Sequence, residues 1–100
     1  MASGTIKTPP RVMVTNVNFD AVSLGAGITG SVTKSFSIPS GYTPLTALAG
    51  YTAQGTIISN VYLSDITSST AVAHATIFNQ KSSTVTNEVG TVRVFLVKGM

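Results

Sequence analysis

Between Ile28 and Ile38 the chain alternates with a period of two. Thr29, Ser31, Thr33, Ser35 and Ser37 take every second position, while Ile28, Val32, Phe36 and Ile38 share the other phase with Gly30 and Lys34. Successive side chains leave a strand on opposite sides, so this pattern predicts a half-buried antiparallel strand with a hydroxyl-lined outer surface. A chain that contains it must supply strands to pair with it.

The next stretch supplies the corner. Pro39 lacks an amide hydrogen and has a fixed φ, so it ends the incoming strand, and Gly41 tolerates the positive φ of a sharp reversal. Pro44 keeps Thr43 extended and launches a second strand from Leu45 toward Gly55. Tyr42 sits at the corner, where its ring can cover the end of a core while its hydroxyl reaches a polar partner. In that second strand Leu45, Ala47, Ala49 and Tyr51 alternate with Thr46, Leu48, Gly50 and Thr52. A short helix over residues 43–49 competes on Leu and Ala propensity, but Gly50 and the β-branched neighbours favour strand.

Further strands are predicted on both sides. The region 12–22 carries Val12 and Val14 in one phase and Met13, Val17 and Phe19 in the other, which reads as a bulge or a strand buried on both sides. Thr56 to Leu63 is rich in β-branched and aromatic residues, and Ser64 to Thr70 is a turn cluster. From Thr70 to Asn79, Ala71, Ala73, Ala75 and Ile77 alternate with Val72, His74, Thr76 and Phe78. Asn79 to Ser83 reads as a hairpin turn. A last strand is expected from Thr84 to about Lys98, with the phase slip at Gly90 read as a β-bulge. Strands at this spacing, with turn signals between them and no helical period, predict an all-β fold: one antiparallel β-sandwich, jelly-roll-like, over residues 12–100. Residues 1–11 show no alternation and contain Pro9-Pro10, and they read as an extended N-terminal arm.

Charge limits what surrounds such a fold. Asp, Glu, Lys and Arg are 9% of the chain, against about 25% in ordinary soluble domains. Its outer faces are therefore coated with hydroxyls or buried on another subunit, and its sheet edges lack the usual charged protection. A homo-oligomer, with a trimer as the expected form, follows. The net charge of +3 comes from six scattered cations against three acids, without the concentrated basic stripe of a nucleic-acid groove. No apolar run approaches the about 18 residues of a membrane helix, and Met-Ala-Ser-Gly-Thr-Ile-Lys opens without the apolar core of a signal peptide. Neither nucleic acid nor membrane insertion is expected.

Candidate chemistry is sparse. Gly25-Ala26-Gly27-Ile28-Thr29-Gly30 matches a dinucleotide loop, but strand-like Ser/Thr alternation follows it where a helix is needed. His74 is the single histidine and there is no cysteine, so a protein-only zinc site has too few ligands. Asp20, Asp65 and Glu88 read as solvated turn, loop or edge charges, and no nucleophile elbow is present. No catalytic, metal or cofactor residue is assigned, and the chain is read as a non-enzyme. Tyr42, Tyr51 and Tyr62, with Asn60, Gln54 and Asn79 as hydrogen-bonding neighbours, are candidates for a surface that recognises sugar rings or proteins.

One resemblance adds a class. The order Ser-Phe-Ser-Ile-Pro-Ser-Gly-Tyr-Thr-Pro-Leu, then Val-Tyr-Leu-Ser, then Asn-Gln-Lys-Ser-Ser, then Thr-Val-Arg-Val-Phe-Leu-Val resembles small β-sandwich modules of bacteriophage and prophage fibre, baseplate and head-decoration proteins. It covers roughly residues 28–98 and carries no catalytic motif. The resemblance implies a trimeric virion structural protein located on the particle. Its partners would be capsid or tail proteins, docked through Ile6, Lys7, Pro9, Pro10 and Arg11 of the arm, and a host-surface glycan. Only about ten arm-like residues precede the first strand, whereas fibre heads follow long shafts; a short decoration subunit or an excised head domain is expected. A carbohydrate-binding β-sandwich module is the alternative.

Overall fold

A computed structural model of the chain describes residues 11–98. These form eight strands, all in antiparallel sheets: β1 (Arg11–Asn18), β2 (Val22–Leu24), β3 (Thr29–Ser37), β4 (Tyr42–Thr52), β5 (Ile57–Ser64), β6 (Thr70–Phe78), β7 (Val85–Glu88) and β8 (Gly90–Lys98). One sheet has the order β1-β8-β4, another β3-β6-β5, and β2 pairs with β7 in a short ladder. The pairing is nested: first strand with last, second with seventh, third with sixth. β4 and β5, joined through residues 53–56, close the nest side by side without a shared ladder.

A single apolar cluster draws on both larger sheets. Val17, Val92, Val94 and Leu96 come from β1-β8-β4, and Val32, Ala71, Ala73, Ala75 and Ile77 from β3-β6-β5. Three alanines on β6 leave room for the bulkier residues of β8. Cα atoms of the two central strands accordingly approach to 8 Å or less, inside the ~10 Å usual between facing sheets. Phe19, Leu24 and Ile38 seal the cluster where the chain passes between ladders.

The corner departs from a simple reversal. Tyr42 N donates to Pro39 O at 3.0 Å and Gly41 has φ 83°, as the turn chemistry requires. The strands it joins, β3 and β4, nevertheless belong to different sheets, so the turn is a crossover. β4 starts at Tyr42 and already contains Pro44. Proline is tolerated there because β4 is an edge strand, and the register shifts between Pro44 and Thr46. A second shift lies between Ala49 and Tyr51, where Gly50 packs so closely on β8 that a Cβ would stand 2.5 Å from Thr91 O.

Several sequence expectations are corrected. The region 12–22 is two strands, and β1 runs in unbroken register with β8; Val12 and Val14 are exposed, while Met13, Thr15 and Val17 face inward, so no bulge is present. Ile28 lies before β3 and is exposed rather than in the core. Residues 79–84 link strands of different sheets and form no hairpin. Gly90 is likewise no bulge: β7 ends at Glu88 and β8 begins at Gly90 in another sheet, which is why the apolar phase changes there.

Candidate functional site

The two large sheets differ in their outer faces. On β3-β6-β5 the residues Thr29, Ser31, Thr33, Ser35 and Ser37 are all exposed along β3. Across the sheet Thr33 pairs with His74 and His74 with Tyr62. The Tyr62 and His74 rings stack with centroids 4.3 Å apart and planes 4° from parallel. Ser64 Oγ lies 2.6 Å from His74 Nε2 and donates to Asp65 Oδ2 at 3.2 Å. The hydroxyl has one proton, so with Asp65 as its acceptor the short contact calls for Nε2–H of His74 as donor. A hydrolytic triad has the opposite order, with the histidine between serine and carboxylate and accepting the serine proton. The cluster holds the His74 ring between Tyr62 and Ser64.

The outer face of β1-β8-β4 carries exposed apolar side chains among exposed Asn16, Asn18, Thr43, Thr46 and Arg93. Cross-strand rows place Val12 beside Val97, Val14 beside Phe95, and Arg93 between Asn16 and Leu48, with Tyr51 opposite Thr91. Val12 is 64% exposed, Val14 50%, Leu48 52% and Tyr51 52%. Together these four residues expose roughly a few hundred Å², the size of the largest apolar patch on an ordinary monomer, which is often functional. Among the described residues Arg93 is the single charge on the face. The one ion pair among the described residues joins Lys34 to Asp20 at 2.7 Å, elsewhere on the surface.

Between the edges of β4 and β5 runs an open groove of about 310 Å³, lined by Pro44, Leu45, Thr46, Ala47, Val61, Tyr62, Leu63 and Ile66. Asp65 is exposed in the chain next to the groove residue Ile66. Both edge strands are irregular here, β4 through its two register shifts and β5 through the shift between Ser59 and Tyr62. Such breaks blunt strand addition to an edge, replacing the missing charges.

Comparison with protein families, curated proteins and solved structures finds no match to this chain. The site therefore rests on its own geometry.

That geometry does not gather the three tyrosines into one platform. Tyr42 is half-buried at the corner, packed on the core, with the Lys98 ammonium 5.7 Å from its ring centroid. Tyr51 lies on the outer face of β1-β8-β4, and Tyr62 on the hydroxyl-lined face at the groove. Asn60, exposed with φ 52°, marks the irregularity of β5. Of the arm residues, Ile6, Lys7, Pro9 and Pro10 lie outside the described residues. Arg11 is the first residue of β1, opposite Lys98, and so part of the sheet rather than of an arm.

Two polar residues expected at the surface are fully buried. Glu88 Oε1 accepts from Gln54 N at 2.9 Å and Val89 N at 3.0 Å, and Oε2 from the Thr56 hydroxyl at 2.7 Å. This carboxylate ties β7 to the β4–β5 link. Asn79 Nδ2 donates to Leu24 O, Gly25 O and Ser83 O, while Lys81 N donates to its Oδ1. Its amide is consumed inside the fold and cannot serve a ligand. A sequence signal for either is absent, since their partners lie mostly 30 or more positions away.

Proposed function

We propose that the chain is a non-enzymatic structural protein of a bacteriophage virion, acting as a homotrimer of jelly-roll-like β-sandwich subunits. The observation that carries this reading is the set of uncovered apolar side chains on the outer face of β1-β8-β4, on a chain with only 9% charged residues. A lone subunit would expose Val12, Val14, Leu48 and Tyr51 to water, and association removes that cost. The core shared by both sheets supports the sandwich reading. The pairing of β1 with β8, β2 with β7 and β3 with β6 is the part of the topology that a jelly roll shares, while β4 and β5 pair with β8 and β6 instead of with each other. The virion assignment is supported by the resemblance of the Ser35–Leu45 corner and the final strand to phage modules.

In this reading residues 1–10 dock on a capsid or tail protein and the hydroxyl-lined β3-β6-β5 face points outward. Three copies per trimer, repeated over a particle, turn a weak contact with a host-surface glycan into useful avidity. The test is incorporation. Purified particles are probed for the full chain and for a chain lacking residues 1–10, which spares β1. The full chain is expected in the particle fraction and the shortened one only among free protein. Equal incorporation refutes the anchor, and absence of both from particles refutes the virion role.

A free carbohydrate-binding module is the second reading, favoured by Tyr62 beside a groove and a row of hydroxyls. A glycan array that gives binding lost in Tyr62→Ala, for a chain found in no particle, selects it.

A further inference from the structure

The charges on the two exposed surfaces say how copies of this chain fit together. Arg93 stands on the central strand of the β1-β8-β4 face, and none of the described carboxylates shares it. Asp20 is engaged by Lys34, and Glu88 is buried. Asp65 is the remaining described acid, exposed in the chain next to the groove residue Ile66, accepting from the Ser64 hydroxyl and without a cationic partner among the described residues. Pairing two β1-β8-β4 faces about a two-fold axis brings arginine toward arginine. Pairing two grooves brings aspartate toward aspartate. A face laid on a groove instead brings Arg93 toward Asp65.

Resting on the homo-oligomer reading above, we infer that subunits associate head to tail: the β1-β8-β4 face of one copy seats on the β4–β5 groove of the next, with Arg93 against the next subunit's Asp65. Leu48, Val14 and Phe95 then cover Leu45 and Ile66, two apolar side chains that stand open in the groove. β4 belongs to both surfaces, contributing Leu48 and Tyr51 to the face and Leu45 and Ala47 to the groove. A head-to-tail contact closes a ring where the rotation between successive subunits closes, and the trimer proposed above is such a ring.

Charge exchange and cross-linking test this. Arg93→Glu and Asp65→Arg each place like charges in the contact, and each is expected to weaken assembly at least ten-fold in equilibrium sedimentation. The double variant is expected to regain the wild-type mass. Both residues are exposed, and circular dichroism of each variant checks that the fold is kept. The chain has no cysteine, so a Leu48→Cys, Ile66→Cys double variant reports the contact directly. Under mild oxidation it is expected to give covalent inter-chain species, and Leu48→Cys alone is expected to give none. Unchanged mass in either single charge variant, no rescue in the double, or efficient cross-linking through Leu48→Cys alone overturns the head-to-tail contact while leaving a homo-oligomer. A wild-type chain that sediments as a single copy overturns the homo-oligomer reading itself.

Discussion

Replacing Asn79 by aspartate exchanges one amide nitrogen for an oxygen of nearly equal size, so it leaves no cavity and isolates hydrogen bonding. The two protons on Asn79 Nδ2 serve Leu24 O at 3.0 Å, Gly25 O at 3.1 Å and Ser83 O at 2.9 Å. In Asn79→Asp these carbonyls face a carboxylate oxygen. A buried polar group left without a partner costs about 1–3 kcal/mol. Leu24 is buried and its carbonyl carries the full cost, whereas Ser83 is exposed and its carbonyl can be rehydrated. Adding desolvation of the new carboxylate, the loss at neutral pH comes to about 3–5 kcal/mol. For a chain of this length that lowers Tm by on the order of 20 °C.

The sign of the pH dependence follows from the same contacts. Oxygen acceptors around the new carboxyl favour its protonated form, raising its folded-state pKa above the unfolded value of about 3.9. Between those two values the folded chain binds more protons than the unfolded one, so the variant's stability rises as pH falls. The deficit against wild type should therefore shrink from pH 7 toward pH 4. Urea unfolding at matched protein concentration measures it. A loss below about 1 kcal/mol, or a deficit that widens on acidification, would refute the assignment of Asn79 as the internal clamp between the β2–β3 and β6–β7 connections.

Three further substitutions, two at Glu88 and one at Gly50 within β4, probe other contacts between segments. Glu88→Gln keeps an oxygen for Gln54 N and Val89 N and should cost about 1 kcal/mol, whereas Glu88→Ala strands both amides and the Thr56 hydroxyl and should cost about 3–4 kcal/mol by the same unfolding assay. Equal losses would mean the carboxylate's bonds do not hold β7 in place. Gly50→Ala puts a Cβ 2.5 Å from Thr91 O, so β4 must move off β8, at about 2–3 kcal/mol. Unchanged protection of the β4–β8 amides in hydrogen exchange would count against that close approach.

The strands were legible where the two phases differ in chemistry. β3 and β6 follow their alternation closely: the hydroxyls of β3 are all exposed, and Ala71, Ala73, Ala75 and Ile77 are all buried. Alternation says which side a residue takes but not which strand lies beside it, so the division into sheets was hidden. The crossings at Pro39–Tyr42 and at Gly90 read as a corner and a bulge because a turn looks the same whether it reverses within a sheet or steps between two. Glu88 and Asn79 were misplaced for a related reason. Polar residues read as exposed, and the backbone donors and carbonyls that satisfy them come from remote segments. The tyrosines illustrate the limit for the site: their spacing along the chain carries no information about three separate surfaces.

The proposed trimer requires the β1-β8-β4 face to be covered by further copies of the chain. Sedimentation equilibrium of the full wild-type chain, at concentrations up to the millimolar range, is the direct measure of that cover. A trimer, three times the 10.3 kDa of the chain, is the predicted species. A single 10.3 kDa species across the whole range would contradict it.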